Sequence, residues 1–384
     1  MRDFREDIEG YREIKQEMEI CRKYGINYRA QKSRRADVVS RLHPRILKLR
    51  LADIILETPT TKTLRLVARE GSLPPFQAGQ YVNLQVEING VKTSRPYSIS
   101  SSPRQTAYYD ITVRKIENGF VSDYLFDQAT LGEQFESSGP AGNFYYNPLF
   151  HGEKLVFLAG GSGVTPFMSM IRENADLGLD REIHLFYGSH SSEELIFHKE
   201  LSDISTRRPN FHYYPVLEET PAGYEGLSGM ISSDLITSVL GDNKVDTFYI
   251  CGPQAMYDAL LPQLYALDIP ARKIRHEMFG NPADITAQPG WPREIRKETA
   301  FTVNVEGKKS LTAQAGEPLL IALEKAGLIV PSLCRSGECS LCRVQLLSGK
   351  VFQPQGVLLR ESDKKYGYIH SCKSYPLEDL EIRL

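Results

Sequence analysis

Four cysteines near the end of the printed sequence have the residue type and spacing that hold iron. Cys334, Cys339 and Cys342 are separated by four and then two residues, and Cys372 follows after 29 more. Four thiolates are what a [2Fe–2S] rhombus requires, two on each iron. A structural zinc site is the alternative, although zinc sites favour paired cysteines two residues apart. The spacing therefore predicts a bound [2Fe–2S] cluster.

A second motif, Arg95-Pro-Tyr-Ser98, has the chemistry to hold a flavin. A tyrosine ring can stack on an isoalloxazine, a serine hydroxyl can bond its nitrogens, and a guanidinium can make a forked contact with pyrophosphate. The tetrapeptide alone is not specific, but a basic strand over 111–115 and a glycine-led helix start follow it. Free N–H groups at such a helix start can bind phosphate. The predicted flavin-binding residues are Arg95, Pro96, Tyr97, Ser98, Thr112, Val113, Arg114, Gly119, Val121 and Ser122.

Two glycine-bearing loops form a third candidate site. Gly160-Gly-Ser-Gly-Val-Thr-Pro166 joins a buried strand to a helix, and Cys251-Gly-Pro253 ends another strand. Glycines let the backbone approach a pyrophosphate, and open α/β sheets bind ligands at the carboxyl ends of their strands. An inert buried cysteine is the alternative for Cys251. The predicted nicotinamide-binding residues are Gly160, Gly161, Gly163, Thr165, Cys251, Gly252 and Pro253.

Three predicted domains position these motifs. Short alternating strands predict an antiparallel β-barrel over 46–150, which holds the flavin motifs. Strands alternating with helices predict a parallel α/β sheet over 151–281, which holds the nicotinamide motifs. A proline- and glycine-rich linker over 282–298 then leads to an α+β domain over 299–384 with the four cysteines.

The first 45 residues form a separate, highly charged segment. Apolar residues recur there every three to four positions, which predicts one amphipathic helix that ends near Gly25. The favoured interpretation is that this helix packs on the rest of the chain, and the alternative is that it docks a partner or a second subunit. The apolar positions are Phe4, Ile8, Tyr11, Ile14, Met18 and Cys21.

Composition restricts the class of protein. The 384 residues are 41% hydrophobic and 24% charged, as in globular proteins. A formal net charge of −2 argues against a nucleic-acid binder that works by neutralising phosphates. The sequence has no apolar run of membrane-spanning length, and its start lacks the apolar core of a signal peptide. We therefore expect a cytoplasmic protein without a membrane span.

In this order the motifs resemble the ferredoxin–NAD(P)H reductase family with a C-terminal plant-type [2Fe–2S] ferredoxin domain. The chain looks like the three-domain reductase components of oxygenase systems over residues 46–384. The resemblance implies a β-grasp ferredoxin domain, isoalloxazine at the first flavin motif and pyrophosphate at the glycine–serine helix start. It also implies that Thr165 and the Cys251 loop border the nicotinamide ring. Ser98 and Cys251 are the candidate catalytic residues.

The stretch His276-Glu-Met-Phe279 ends the predicted α/β domain. In relatives with a trailing ferredoxin domain a similar acidic–aromatic stretch lies beside the flavin, which implies that Phe279 covers the ring until nicotinamide displaces it. The alternative is an aromatic side chain that only packs the end of the strand. Glu277 is interpreted as a solvated carboxylate, with a proton-relay role as the alternative.

The cofactors follow from these motifs. The intact helix start favours FAD over FMN. After the predicted strand over 212–216 the chain has Glu218 and Glu219, where NADP-specific relatives commonly have serine and arginine. A carboxylate can bond ribose hydroxyls and repels a 2′-phosphate, so NADH is predicted. His190, Arg207 and Arg208 could supply positive charge and keep NADPH open.

The predicted function is an oxidoreductase that passes electrons from NADH to FAD, to [2Fe–2S] and to a partner redox protein such as an oxygenase component. Hydride chemistry belongs to the flavin, which the protein positions. One alternative is an anaerobic acceptor such as a corrinoid protein or a separate ferredoxin. Another is a non-catalytic redox sensor, which predicts a degraded flavin or nicotinamide motif, whereas both motifs are intact.

Overall fold

The computed structural model describes residues 10–25, 36, 38–39, 42, 44–241, 244–278, 280–282 and 284–384. The chain divides into two compact units, residues 1–45 and residues 46–384. In the described part of the chain, none of the helices combines the length and the apolar character needed to cross a membrane.

The first unit contains the predicted amphipathic helix, α1 (Tyr11–Lys23). Gly10 precedes it with φ +79°, and Gly25 follows it with φ +71°, a left-handed conformation that glycine adopts without steric cost. Phe4 and Ile8, which the sequence pattern places on the same helix, lie outside the described residues. The predicted stop at Gly25 agrees with the observed end of the helix.

The barrel domain opens the second unit. Its strands pair antiparallel in the order β4-β3-β6-β1-β2-β5, and a bridge between Ile99 and Ile111 joins the two ends. The short helix α2 (Phe120–Asp123) continues as one π turn over Tyr124–Gln128. The strands are β1 (Leu47–Thr58), β2 (Thr61–Ala68), β3 (Tyr81–Ile88), β4 (Val91–Ser98), β5 (Tyr109–Arg114) and β6 (Gln134–Ser137). The predicted antiparallel barrel is confirmed.

The α/β domain is a six-stranded parallel sheet in the order β10-β9-β8-β7-β11-β12. Its strands are β7 (Lys154–Gly160), β8 (Glu182–Ser189), β9 (Phe211–Leu217), β10 (Leu227–Ser228), β11 (Thr247–Gly252) and β12 (Ile274–Met278). Its helices are α3 (Val164–Leu177), α4 (His198–Arg207), α5 (Ser233–Leu240) and α6 (Gln254–Ala266). Since β7 and β11 are neighbours and parallel, their carboxyl ends bring the two predicted nicotinamide loops side by side. The predicted parallel sheet is confirmed.

The C-terminal domain is a mixed sheet in the order β14-β13-β19-β15-β17, with a small β16–β18 pair. The closing strand β19 (Leu380–Arg383) pairs parallel with β13 and antiparallel with β15. The other elements are β13 (Ala300–Val305), β14 (Ser310–Gln314), α7 (Leu319–Lys325), β15 (Arg343–Ser348), β16 (Val351–Phe352), α8 (Glu361–Lys365), β17 (Tyr368–His370) and β18 (Tyr375–Pro376). Leucines of α7 bury against the sheet, so the helix that precedes the cysteine loop is firmly placed.

The segment over 282–298, predicted as a linker, packs on the C-terminal domain. Trp291 is buried, its ring meets those of Phe352 and Tyr375 edge-on, and its indole N–H donates to the Ile295 carbonyl oxygen. The apolar contacts of this segment are therefore made with the C-terminal domain that follows it.

Candidate functional site

The four cysteines of the C-terminal domain lie as two contacting pairs. A hydrogen bond with Cys339 lowers the pKa of Cys334 to about 4, and a hydrogen bond with Cys372 lowers the pKa of Cys342. Cys334, Cys342 and Cys372 are buried, whereas Cys339 is partly exposed. Two pairs of sulfurs match the two thiolates that each iron of a [2Fe–2S] cluster takes.

The arrangement of these sulfurs differs from that around a single zinc ion. Sulfurs on one tetrahedral zinc lie about 3.8 Å apart, because each Zn–S bond is about 2.3 Å. Among the residues that the structure describes, the one group of three or more candidate ligands lying within 4.8 Å of one another is Glu182, His184 and His212. The cysteine loop therefore fits the larger two-iron cluster better than zinc.

Hydrogen bonds around the cysteines fix the conformation of the cysteine loop. The amides of Ser336 and Cys339 donate to the Cys334 sulfur at 3.4 Å. The His370 ring bridges the Gly337 carbonyl oxygen at 2.9 Å and the Ser340 hydroxyl at 3.0 Å. Gly337 has φ +86°, where a side chain is strained. Donors aimed at sulfur stabilise its negative charge and tune a bound cluster.

A cleft of about 410 Å³ lies where the barrel domain meets the other two domains. This volume falls within the usual range for ligand sites. Most of the predicted flavin residues line it, together with Thr165 of the α/β domain. The predicted residues in the cleft wall are Arg95, Pro96, Tyr97, Ser98, Thr112, Arg114, Gly119, Val121, Ser122 and Thr165.

One polar atom in the cleft wall lacks a partner. Ser98 is buried, and its hydroxyl oxygen makes no hydrogen bond within the protein. An unpaired buried hydroxyl is costly, so a ligand that bonds to it stabilises the fold. The partly exposed ring of Tyr97 lies beside it, and burial lowers the pKa of Arg95 to about 10, with the Arg335 guanidinium adding to the shift. This wall fits a flat, polar-edged ring such as isoalloxazine.

Three of the predicted flavin residues have contacts inside the barrel domain, and one of them, Val113, lies outside the cleft wall. The Val113 side chain belongs to the barrel core and does not line the cleft. Thr112 bonds to Thr63 and Ser100 inside the barrel. At Gly119 a β-carbon would overlap the Ser122 hydroxyl oxygen and meet the Ile116 backbone carbonyl oxygen at 2.8 Å, so glycine suits this close turn.

The glycine loop after β7 packs tightly against the end of β11. At Gly163 a β-carbon would overlap the Cys251 carbonyl group, and at Gly160 it would meet the Pro253 ring at 2.8 Å. Gly161 has φ +53°, and its β-carbon would meet the Arg114 guanidinium at 2.6 Å. Arg114 also pairs with Glu194, so the barrel and the α/β domain meet at this loop. Gly160 and Gly163 therefore serve the packing of the two predicted nicotinamide loops.

Cys251 and Glu277 lie side by side on the paired strands β11 and β12, and both are buried. Cys251 is fully buried, and burial raises its pKa well above the usual range, with Glu277 adding to the shift. The sequence interpretation of Glu277 as solvated is wrong: the residue is 9% exposed, and one of its carboxylate oxygens has no partner. Burial raises the pKa of this carboxyl well above its usual range, and the Glu338 carboxylate adds to the shift. Phe279, the predicted ring cover, lies outside the described residues.

The segment after strand β9 carries the two acidic residues predicted to select NADH. Glu218 and Glu219 follow β9, and their carboxylates lie 3.3 Å from the two ring nitrogens of His190. The hydrogen bond with Glu218 raises the pKa of His190. His190, which could have supplied positive charge for the 2′-phosphate of NADPH, is therefore already paired with two carboxylates.

Several residues of the cleft wall escaped the sequence analysis. Phe120 directly follows Gly119, so the motif that predicted Gly119 could also have predicted Phe120. Ile321 and Arg335 come from the C-terminal domain, and their place in the wall depends on how the domains dock, for which the sequence has no signal. The unpredicted residues are Ile116, Phe120, Ser162, Gly280, Asn281, Ile321 and Arg335.

Comparison with known proteins agrees with this division of the site. The chain matches an oxidoreductase FAD-binding domain over 49–146, an oxidoreductase NAD-binding domain over 157–261 and a 2Fe-2S iron-sulfur cluster binding domain over 303–377. The glycine betaine monooxygenase reductase subunit of Chromohalobacter salexigens is 30% identical over 347 residues, covering 87% of this chain and 94% of the relative. The chain belongs to the ferredoxin–NAD(P)H reductase family with a C-terminal [2Fe–2S] domain.

Further relatives extend over the same span. The ferredoxin reductase component of the 3-ketosteroid-9-alpha-monooxygenase of Mycobacterium tuberculosis is 28% identical, covering 87% of this chain and 94% of the relative. The structure of phthalate dioxygenase reductase is similar with a TM-score of 0.67 and 26% identity, covering 88% of this chain and 98% of that one. That protein is described as a modular structure for electron transfer from pyridine nucleotides to [2Fe-2S].

Family membership establishes the enzyme class. The chain is an NAD(P)H-dependent oxidoreductase with FAD-binding, NAD-binding and [2Fe–2S] domains. The predictions of FAD, of a nicotinamide cofactor and of a [2Fe–2S] cluster are confirmed.

Proposed function

We propose that this chain is the reductase component of an oxygenase system and passes electrons from NADH through FAD and a [2Fe–2S] cluster to the oxygenase. One observation carries the proposal: the flavin-type cleft is walled by all three domains and includes Arg335, the neighbour of Cys334. The donor loop, the flavin site and the cysteine loop thus adjoin one another. When bound, FAD accepts a hydride and releases its electrons singly.

The barrel residues hold and orient the flavin in this proposal. The unpaired Ser98 hydroxyl bonds to a polar edge of the ring, and the Tyr97 ring packs on its face. Arg95 and Arg114 supply positive charge for the pyrophosphate. Gly119, Val121 and Ser122 form the end of the cleft where that pyrophosphate lies.

The α/β residues place the nicotinamide against this ring. The loop over 160–165 binds the dinucleotide at the carboxyl end of β7, next to the Cys251-Gly-Pro253 loop. Thr165 lines the cleft. Cys251 lies in the adjoining loop at the end of β11, and in this proposal both residues border the nicotinamide. Burial raises the pKa of the Glu277 carboxyl, which favours its neutral form beside Cys251.

In the C-terminal domain, Cys334 with Cys339 would hold one iron of the cluster, and Cys342 with Cys372 would hold the other. The cluster would supply one-electron transfer, so that each NADH oxidised to NAD⁺ and one proton would deliver two electrons, one at a time, to one-electron acceptors. Partly exposed Cys339 marks the edge at which the acceptor approaches.

The oxygenase acceptor is supported by the names of the relatives, which include reductase components of monooxygenases. The test is anaerobic mixing of this chain, NADH and a purified oxygenase component from the same organism, while the absorbance of the oxygenase iron is followed. We expect reduction at a rate that depends on the concentration of this chain. If the chain reduces cytochrome c but leaves its host's oxygenase components oxidised, a corrinoid protein or a separate ferredoxin becomes the better acceptor.

Substitution of Glu218 tests the choice of nicotinamide. A charge-assisted hydrogen bond to the ribose contributes about 1.5 to 3 kcal/mol, so Glu218→Gln should raise the KM for NADH about tenfold or more. The KM for NADPH should fall, because the carboxylate no longer repels a 2′-phosphate. Steady-state kinetics with both nucleotides measure this split.

Glu219→Gln is the matched control, because Glu219 contacts the same His190 ring. We expect a smaller change in the NADH to NADPH preference for this variant. Equal effects of the two variants would mean that the preference acts through the charge of His190 rather than through direct contact with Glu218. A wild-type protein that prefers NADPH would contradict the assignment outright.

A further inference from the structure

A buried ion pair lies between the helix before the cysteine loop and the loop itself. The Arg335 guanidinium donates two hydrogen bonds to the Glu324 carboxylate, at 2.7 and 2.8 Å. Their side chains are only 6% and 7% exposed. Arg335 adopts φ +53°, a left-handed backbone that is uncommon outside glycine, so the loop is bent to bring this side chain to Glu324.

The same pair also bonds to the barrel domain. The Thr93 hydroxyl on β4 donates at 2.8 Å to Glu324 Oε2, which also accepts from Arg335, and the Arg335 guanidinium donates to the Ser94 hydroxyl at 3.3 Å. All four of these side chains are buried. The contact therefore crosses from one domain to the other, and we call Thr93, Ser94, Glu324 and Arg335 the docking clamp.

A second contact reinforces the clamp from the neighbouring strand. Asn83 on β3 donates to the Ser332 carbonyl oxygen at 2.8 Å and to the Ser94 hydroxyl at 3.0 Å. Ser332 lies two residues before Cys334. The cysteine loop is thus bonded to two adjacent barrel strands just before its first cysteine and just after it.

The clamp also bonds directly to the flavin motif. Arg95, the first residue of that motif, donates to the Thr93 hydroxyl at 2.9 Å and to the Ser94 carbonyl oxygen at 2.7 Å. Arg335 is covalently linked to Cys334, and both Arg95 and Arg335 line the cleft. One hydrogen-bonded unit therefore connects the flavin motif with the first predicted iron ligand.

Buried charges are a poor source of stability, which makes their presence here informative. Removing two charges from water costs about as much as their attraction returns, and apolar replacements of such pairs are often equally stable. Buried polar networks instead demand one geometry, because any shift leaves a donor or a charge unpaired. Such a contact is suited to fixing the spacing between two domains.

We propose that the docking clamp holds the cysteine loop against the flavin strand and so sets the rate of the electron step from flavin to cluster. This inference rests on the proposed function and assigns positioning roles to Glu324, Arg335 and Thr93. One electron at a time leaves the reduced flavin and reduces the oxidised cluster, with no bond made or broken. Because such transfer slows steeply with distance, a loosened clamp slows this step and leaves the earlier hydride step intact.

The test compares Glu324→Gln with wild type in the full chain with its cofactors. The variant keeps the side-chain shape but leaves Arg335 with an unpaired buried charge. We expect flavin reduction by NADH to keep its rate in anaerobic stopped flow, whereas reduction of the cluster, read from its visible absorbance, slows about tenfold or more. We also expect the β4 amides to exchange hydrogen for deuterium about tenfold faster, a readout independent of turnover.

Glu317→Gln is the matched control, because Glu317 pairs with Lys325 of the same helix region at the surface. It should change neither the cluster step nor the exchange of β4. Thr93→Val is the second variant: it removes the hydrogen bond to Glu324 and the one accepted from Arg95, but leaves the Arg335–Glu324 ion pair whole. It is the deciding variant if Glu324→Gln loses its cluster. It should slow the cluster step with unchanged iron, sulfide and FAD content.

The proposal is overturned if both variants keep the wild-type rate of cluster reduction, or if flavin reduction slows by the same factor as cluster reduction. Failure of the proposed function looks different, since the wild-type cluster then stays oxidised after NADH is added. The variants are compared only if the wild-type protein reduces its own cluster when NADH is added. The wild-type experiment, done first, therefore separates the two failures.

Discussion

Cys339→Ala should abolish reduction of cytochrome c by NADH while flavin reduction continues at close to its wild-type rate. Cys339 pairs with Cys334, so its loss removes one of the two thiolates proposed for one iron. The flavin-type cleft and the nicotinamide loops do not include Cys339. Anaerobic stopped flow measures flavin reduction, and the steady-state cytochrome c assay should fall to the level measured without protein.

Cys21→Ala is the control for this experiment, because Cys21 lies on α1 outside the cysteine loop. It should retain iron, sulfide and both activities. If Cys339→Ala lost flavin reduction together with cytochrome c reduction, the cluster would have a structural role, and the order of electron transfer proposed here would be wrong.

The second large effect is expected at Gly163. A methyl group there overlaps the Cys251 carbonyl group, which is backbone and cannot rotate away. Over-packing of this kind costs about 1 to 3 kcal/mol. If that strain is relieved by separating the two loops, Gly163→Ala should weaken NADH binding about 10- to 100-fold, the equivalent of about 1.4 to 2.8 kcal/mol. The KM for NADH in the ferricyanide assay measures the change.

Gly188→Ala is the matched control, since Gly188 is the penultimate residue of β8 in the same sheet and the nearest neighbours of an added β-carbon lie at ordinary contact distance, 3.4 Å or more. This variant should keep the wild-type KM. FAD and iron content should be unchanged in both variants. A Gly163→Ala protein with normal NADH affinity would remove the two loops from the proposed nicotinamide site.

Local sequence patterns predicted the strands and helices well where one face is buried. Residues 47–51 alternate between buried leucines and exposed basic residues, and the predicted strand begins there. The observed β1 runs to Thr58, because a register shift between Leu51 and Asp53 breaks the alternation without ending the strand. The helix predicted after the glycine loop is α3, which already begins at Val164 within that loop and ends at Leu177, where Gly178 with φ +58° follows.

The candidate site was predictable where chemistry depends on neighbours in sequence. The cysteine spacing, the Arg95–Ser98 motif and the glycine loop each contain the residue types that their ligands need. Glu277 could not be judged this way, because its burial arises on folding: it lines a second pocket together with the barrel residue Tyr81 and with Gly142. Arg335 was overlooked for the same reason, since its partners Glu324 and Ser94 lie 11 and 241 residues away.

The most direct test of the central claim is electron paramagnetic resonance of the purified chain after one equivalent of NADH is added under argon. A reduced [2Fe–2S] cluster is paramagnetic and an oxidised one is not. The account predicts a silent sample before NADH and, afterwards, the signal of a reduced [2Fe–2S] cluster approaching one spin per chain. A sample that stays silent while its flavin bleaches, or that contains no iron and sulfide, would contradict electron transfer from NADH through flavin to the four cysteines.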